Sequence, residues 1–134
     1  MFIANQTEDH RLMAAALERV MARTNDFEVR RARMAADHPD RLGAWPALLE
    51  AGAPTMAFSD VHGGCGGSPA DLAAMQMALA PFLPVEPLLM AAVTCGRILS
   101  AAGAADAITA VLDGEMIPVL AHGEGFDPWQ PPRL

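Results

Sequence analysis

Lysine and tyrosine are both absent from this chain. Without lysine no Walker-type phosphate loop can be completed, and arginine alone carries the fixed positive side-chain charge. The formal net charge of −7 also argues against sequence-independent nucleic-acid binding, which needs a cationic face, so no nucleic-acid partner is expected. Cysteine is scarce: Cys65 and Cys95 stand in no CxxC or zinc-type spacing and read as free thiols of a reducing compartment. The four histidines fall in no HxH or HxxxH pattern, so no metal site is expected. Long apolar runs are missing as well. The longest, 88–96, stops at Arg97 and is too short to cross a bilayer. The N-terminus has no cationic segment leading into an apolar run, so no signal peptide is read and the cytoplasm is expected.

What the chain does contain is alanine, leucine and methionine, with few β-branched residues, a palette that favours helix. Its 52% hydrophobic content is too high for disorder, and its length suits one domain with a modest core. Thr7 is a fitting N-cap, with Glu8 and Asp9 in the first turn and an apolar stripe through Leu12, Ala16, Leu17, Val20 and Met21. A charged helix over 27–36 follows, and its Arg30, Arg31 and Arg33 cluster reads as a solvated face rather than a phosphate site. His38-Pro39 stops it. Asp40 is placed to cap a helix through Trp45, Leu48 and Leu49 that closes at Gly52. Residues 53–59 read as a short extended connection.

Ser68-Pro69-x-Asp71 is a strong helix-start signal, and Leu72, Met75 and Leu79 form the buried stripe behind it. Pro81 and Pro84 end that helix. The next, from Pro87 to Gly103, is apolar on nearly every side and so expects cover all round. A short helix over 106–113 follows, and Ile117, Val119 and Leu120 around Pro118 resemble a strand. Gly63–Gly67 invites a phosphate-cradle reading, but a tight turn between helices is the better account because the nucleotide-binding fingerprints are absent. The fold class expected is all-α: a mainly antiparallel bundle of five or six helices with an extended C-terminal tail.

The stretch 58–87, FSDVHGGCGGSPADLAAMQMALAPFLPVEP, with Trp45-Pro46-Ala47-Leu48-Leu49-Glu50-Ala51-Gly52 before it and Gly114-Glu115 and Ala121-His122-Gly123-Glu124 after it, carries a resemblance. In order and spacing these motifs resemble the N-terminal helical domain of the FAD-dependent acyl-CoA dehydrogenases. Within that family they look most like the branch containing the pimeloyl-CoA dehydrogenase small subunits. No motif is specific alone; the ordered set carries the likeness. It implies a helical domain over 1–116 and the start of a middle β domain over 117–134, with the chain expected to continue into parts it does not contain.

The resemblance further implies removal of an α-proton and transfer of a β-hydride from an acyl-CoA thioester to FAD, giving a 2-enoyl-CoA. It places the catalytic base and most flavin contacts in other domains, so no catalytic residue is assigned here and the chain alone is expected to be inactive. Leu89, Ala92, Val93 and Gly96 would line the acyl pocket; the alternative, that they are only core, stands beside it. Backbone at Ala121, His122 and Gly123 would run past the flavin, with Gly123 standing where many members carry a threonine. The implied partners are acyl-CoA and further dehydrogenase subunits in a homo- or hetero-oligomer, with no membrane. A different class of function also fits: a stand-alone helical interaction or subunit-assembly module that kept the fold without the chemistry.

Overall fold

The computed structural model describes residues 7–121. Six α-helices and no strand occur among them, arranged as a helical bundle. In chain order these are α1 (Glu8–Thr24), α2 (Phe27–Met34), α3 (Trp45–Glu50), α4 (Pro69–Leu79), α5 (Gly96–Ala101) and α6 (Ala105–Leu112). Two 3₁₀ turns, Pro54–Ala57 and Asp60–His62, replace the extended connection expected before the glycines. A π-helical segment, Leu89–Cys95, runs directly into α5.

The helix starts obey local chemistry. The Thr7 side chain accepts the His10 amide at 3.2 Å while His10 Nδ1 accepts the Thr7 amide at 3.2 Å, a reciprocal cap. Ser68 and Asp71 repeat the arrangement at α4, with Asp71 Oδ2 accepting the Ser68 amide at 2.7 Å. The two caps are then tied together: His10 Nε2 meets Asp71 Oδ1 at 2.6 Å. Because Nδ1 of His10 already accepts, the proton sits on Nε2 and is donated to Asp71.

The other ends of α1 and α4 are joined as well. Asn25, the C-cap of α1, donates from Nδ2 to the Phe82 carbonyl at 3.2 Å, in the turn that follows α4. The two helices, which share the most extensive packing in the bundle, therefore run side by side in the same direction. Short connections favour antiparallel neighbours only between consecutive helices, and α1 and α4 are not consecutive.

The core gathers around Leu17 and Met21 of α1, Trp45 and Leu48 of α3, Met75 and Leu79 of α4, Ala91 and Ala92 of the π segment, and Ile108 and Val111 of α6. Phe58, 1% exposed, belongs to the same cluster. Burying an aliphatic or aromatic side chain contributes about 1.5–3 kcal/mol each, which is what holds short helices that would not persist alone. Leu12, expected in the α1 stripe, is instead 62% exposed, and the buried face runs through His10, Leu17 and Met21.

Two expectations change. Asp40 does not cap α3; its Oδ1 accepts the Leu42 amide at 3.0 Å, shaping a turn, and α3 begins one turn later after Ala44. Residues 117–120 form no strand. Strands need a neighbour to satisfy their amides, and none is present among the described residues. Ile117 instead packs against the helical core with Met116.

Candidate functional site

The turn between α4 and the π segment holds the one non-glycine residue with positive φ among the described residues. Leu83 adopts a left-handed conformation (φ 44°), and Pro84 and Pro87 follow it. Three side chains from α1 and α2 secure this turn. Arg30 Nη1 donates to the carbonyls of Phe82 and Leu83 at 3.0 and 3.1 Å, beside the Asn25 bond. Arg33 donates to the Thr24 carbonyl at 2.6 Å and to Asn25 Oδ1 at 3.2 Å, so one arginine closes α1 while the other holds the end of α4. The arginine cluster read as a solvated face thus divides: Arg31 stays exposed and pairs with Glu28, whereas Arg30 and Arg33 turn inward.

Glu86 completes this network. Its side chain is fully buried; Oε1 accepts the Ala44 amide at 2.8 Å and lies 3.8 Å from Arg33 Nη1. That single carboxylate links the start of α3 to the turn that opens the π segment.

Next to it lies a cleft of about 330 Å³. Gln76 and Leu79 of α4 form one wall, Pro84, Glu86 and Pro87 the turn, and Leu88, Leu89, Met90 and Thr94 the other wall. Thr94 donates from its hydroxyl to the Leu89 carbonyl at 3.3 Å, five residues back, which is the spacing of a π turn. π-helical segments recur at functional sites because they shift side chains out of α-helical register. Leu89 and Met90 of the lining are uncovered, Leu89 at 57% exposed, and so are Leu83, Val85 and Met77 in the segments that contribute to the cleft.

Of the four residues expected to line an acyl pocket, the structure puts Leu89 alone in this cleft. Ala92 is fully buried in the core, and Val93 is half-buried outside the cleft lining. Gly96 lies under the Phe58 ring, where a Cβ would come within 2.7 Å of Cζ. The helix that is apolar on nearly every side keeps Leu89, Met90 and Ile98 exposed. Ala121 is exposed at the limit of the described residues, and His122 and Gly123 lie outside them.

The glycine loop is a turn and its amides are all used. Gly63 and Gly64 donate to Asp60 and Ser59, Cys65 to Thr55, Gly66 to Phe58 and Gly67 to Met56, at 2.8–3.0 Å. No amide of Gly63–Gly67 is left for an anion, in line with the turn reading. Gly64 is required there: a Cβ would sit 2.2 Å from the Phe58 carbonyl oxygen. A second cleft, of about 380 Å³, runs beneath this loop past Leu72, Arg97 and Ser100.

The clearest electrostatic perturbation is structural. The Ser68 hydroxyl and amide, and then His10, hold the Asp71 carboxyl below its ordinary range. The Ser68 hydroxyl is committed to the helix cap, donating to Asp71 Oδ2 at 2.6 Å while accepting the Asp71 amide at 3.3 Å. Cys65 is exposed and Cys95 buried, both free. No group of three metal-ligating side chains and no helix long and apolar enough to cross a membrane occurs among the described residues.

Comparison of the chain with models of protein families, with curated proteins and with solved structures returned no match.

The buried network of Asn25, Arg33 and Glu86 was not read from the sequence. Its one signal was a glutamate between Val85 and Pro87 at the entry to an apolar helix, where a charge has to be either exposed or paired.

Proposed function

We propose that this chain serves as the N-terminal helical domain of an FAD-dependent acyl-CoA dehydrogenase, supplying one wall of the acyl pocket. The observation that carries the reading is the helix over 88–101, apolar on nearly every side apart from Arg97 yet uncovered at Leu89, Met90 and Ile98. Uncovered apolar side chains beside a preformed cleft are what a ligand-binding wall needs before its opposite wall arrives. The motif order from Trp45 to Gly123 supports the same assignment.

In this role Leu89 and Met90 would contact the acyl chain, and Ala92 and Gly96 would let the helix sit close to Phe58. Among the described residues the glycine loop offers no flavin phosphate site: its amides are spent, and Arg97 is the cation beside them. FAD would supply the redox chemistry through other domains, with backbone at 121–123 as this chain's contribution. The test is expression of the whole open reading frame that encodes this chain. A yellow product whose flavin bands bleach on adding an acyl-CoA supports the assignment; a colourless product with no dehydrogenase activity refutes it.

The exposed apolar rim also favours a second reading, a subunit-assembly module. On that reading the rim meets a partner protein, and the same product would be colourless but oligomeric.

A further inference from the structure

From Pro87 to Ala105 the chain carries a single charge, Arg97, and that arginine lines the cleft of about 380 Å³ beneath the glycine loop. Arg97 enters no ion pair among the described residues, although acidic residues outnumber arginines in this chain. The described lining includes no acidic side chain. The carboxylates next to it in sequence are engaged elsewhere: Asp71 with Ser68 and His10, and Asp60 with the Val61 amide. Ser100 stands three residues beyond Arg97 and so shares its helix face, and its hydroxyl donates to the Gly96 carbonyl at 2.8 Å. Ser59 lines the cleft from the turn before the loop, and its hydroxyl has no hydrogen-bond partner among the described residues. The Gly66 and Gly67 amides are spent on Phe58 and Met56. The polar side chains left to meet an occupant are therefore a guanidinium and a hydroxyl, set beside the apolar surface of Pro69 and Leu72. All four are within reach, since Arg97, Ser59 and Pro69 are exposed and Leu72 is half-buried.

We propose that this cleft binds a small organic monocarboxylate with a compact apolar body. An ionised carboxylate only accepts hydrogen bonds, and its two oxygens match the fork of a guanidinium. The carboxylate meets Arg97 and the Ser59 hydroxyl, and the body lies against Pro69 and Leu72. One fixed cation suits one negative charge, the more so in a chain of net charge −7, which repels a second. A bare inorganic anion gains nothing from the apolar side of the cleft. This site shares no lining residue with the cleft at Leu89 and does not rest on the dehydrogenase reading.

The experiment uses the 134-residue chain, ¹⁵N-labelled and titrated at constant ionic strength with sodium benzoate, benzamide and inorganic phosphate. Benzamide has the shape of benzoate without its charge, and phosphate has charge without an apolar body. The backbone amides of Gly66, Gly67, Leu72 and Ser100 report on the cleft, and the Arg97 Nε–H resonance, assigned by its loss in Arg97→Gln, reports on the cation. Benzoate is expected to shift this set and to bind at least about fivefold more tightly than benzamide, the worth of one partly exposed charge-assisted contact. Phosphate should bind more weakly than benzoate. Arg97→Gln should reduce benzoate to the level of benzamide, and Arg97→Lys should restore part of the preference. Thermal melts confirm that both variants are folded. Equal binding of benzoate and benzamide overturns the role of Arg97 and with it the proposal. Phosphate binding as well as benzoate at the same amides reduces the site to an ordinary surface cation and also overturns it. So does the absence of shifts at the cleft amides with every probe. Failure of the dehydrogenase reading appears separately, as a colourless whole gene product, and would not alter these ratios.

Discussion

Replacing Gly96 by alanine sets two effects of opposite sign against each other. At an ordinary helix position Gly→Ala is stabilising by about 0.8–1 kcal/mol, because glycine loses more backbone entropy on folding. Gly96 begins α5 with helical angles (φ −58°, ψ −40°), so propensity alone predicts a gain. Packing predicts the reverse. A Cβ at this position would lie 2.7 Å from Cζ and 2.9 Å from Cε1 of Phe58, far inside contact distance. Phe58 cannot swing away, since it is 1% exposed and its own carbonyl accepts the Gly66 amide at 2.8 Å. Overpacking of a closed core costs about 1–3 kcal/mol, so against that gain the net change should be a loss of up to about 2 kcal/mol. For a domain of this size that lowers the melting temperature by several degrees. Urea or thermal unfolding followed by circular dichroism measures it. Phe58→Leu removes the offending ring atoms, so Gly96→Ala should cost much less in that background, a coupling of at least about 0.5 kcal/mol. A melting temperature for Gly96→Ala equal to or above wild type would refute the packing argument.

Aspartate substitutions should separate core from wall on the next turns of the same helix. Ala92→Asp buries an unpaired carboxylate and should cost several kcal/mol, whereas Leu89→Asp, at a position 57% exposed, should shift the melt by less than about 0.5 kcal/mol. Removing the Glu86 acceptor with Glu86→Ala leaves the Ala44 amide buried without its partner and should cost about 1–3 kcal/mol in chemical denaturation. Asp71→Ala unties both helix caps and should cost about 0.5–2 kcal/mol. Because the folded-state pKa of Asp71 lies below its unfolded value, its contribution is complete above the unfolded value near about 4 and is lost as the pH falls through the folded one. The wild type should therefore lose more stability than Asp71→Ala between about pH 5 and pH 2, measured by urea midpoints. The chain alone should self-associate through the rim of Leu83, Val85, Leu89 and Met90, and Leu83→Glu/Leu89→Glu should return it to monomer in light scattering at micromolar concentration.

The helices were legible where local chemistry decides. Thr7, Ser68, Pro69 and Asp71 act on backbone amides within one turn, so both capped starts follow from the residues alone. Met75 and Leu79 followed from periodicity. What was not legible depends on distant partners. Nothing near Arg30 or Arg33 announces that they reach carbonyls about fifty and nine residues away, at Phe82 and Thr24. The tie between His10 and Asp71 likewise joins two caps that sequence reading treats as separate, and with it the parallel course of α1 and α4. The apolar helix over 88–101 was legible, and so was the shortage of helices to cover it in a chain of this length; which residues stay uncovered, Leu89, Met90 and Ile98, was not, because periodicity reports which residues could be buried and not where the rest of the chain lies. At the site, the cleft is set by the π segment and the Leu83–Pro87 turn, and sequence spacing assumed an α-helix; that is why Leu89 reached the cleft while Ala92 and Gly96 fell into the core.

The measurement that bears most directly on the central claim is an anaerobic absorbance titration of the whole open-reading-frame product, run beside the isolated 134-residue chain. The account predicts flavin bands in the former that bleach on adding an acyl-CoA, no flavin bands in the latter, and loss of bleaching in the former with Leu89→Asp although the flavin stays bound. A whole product without flavin, or an isolated chain that is itself yellow and active, would contradict it.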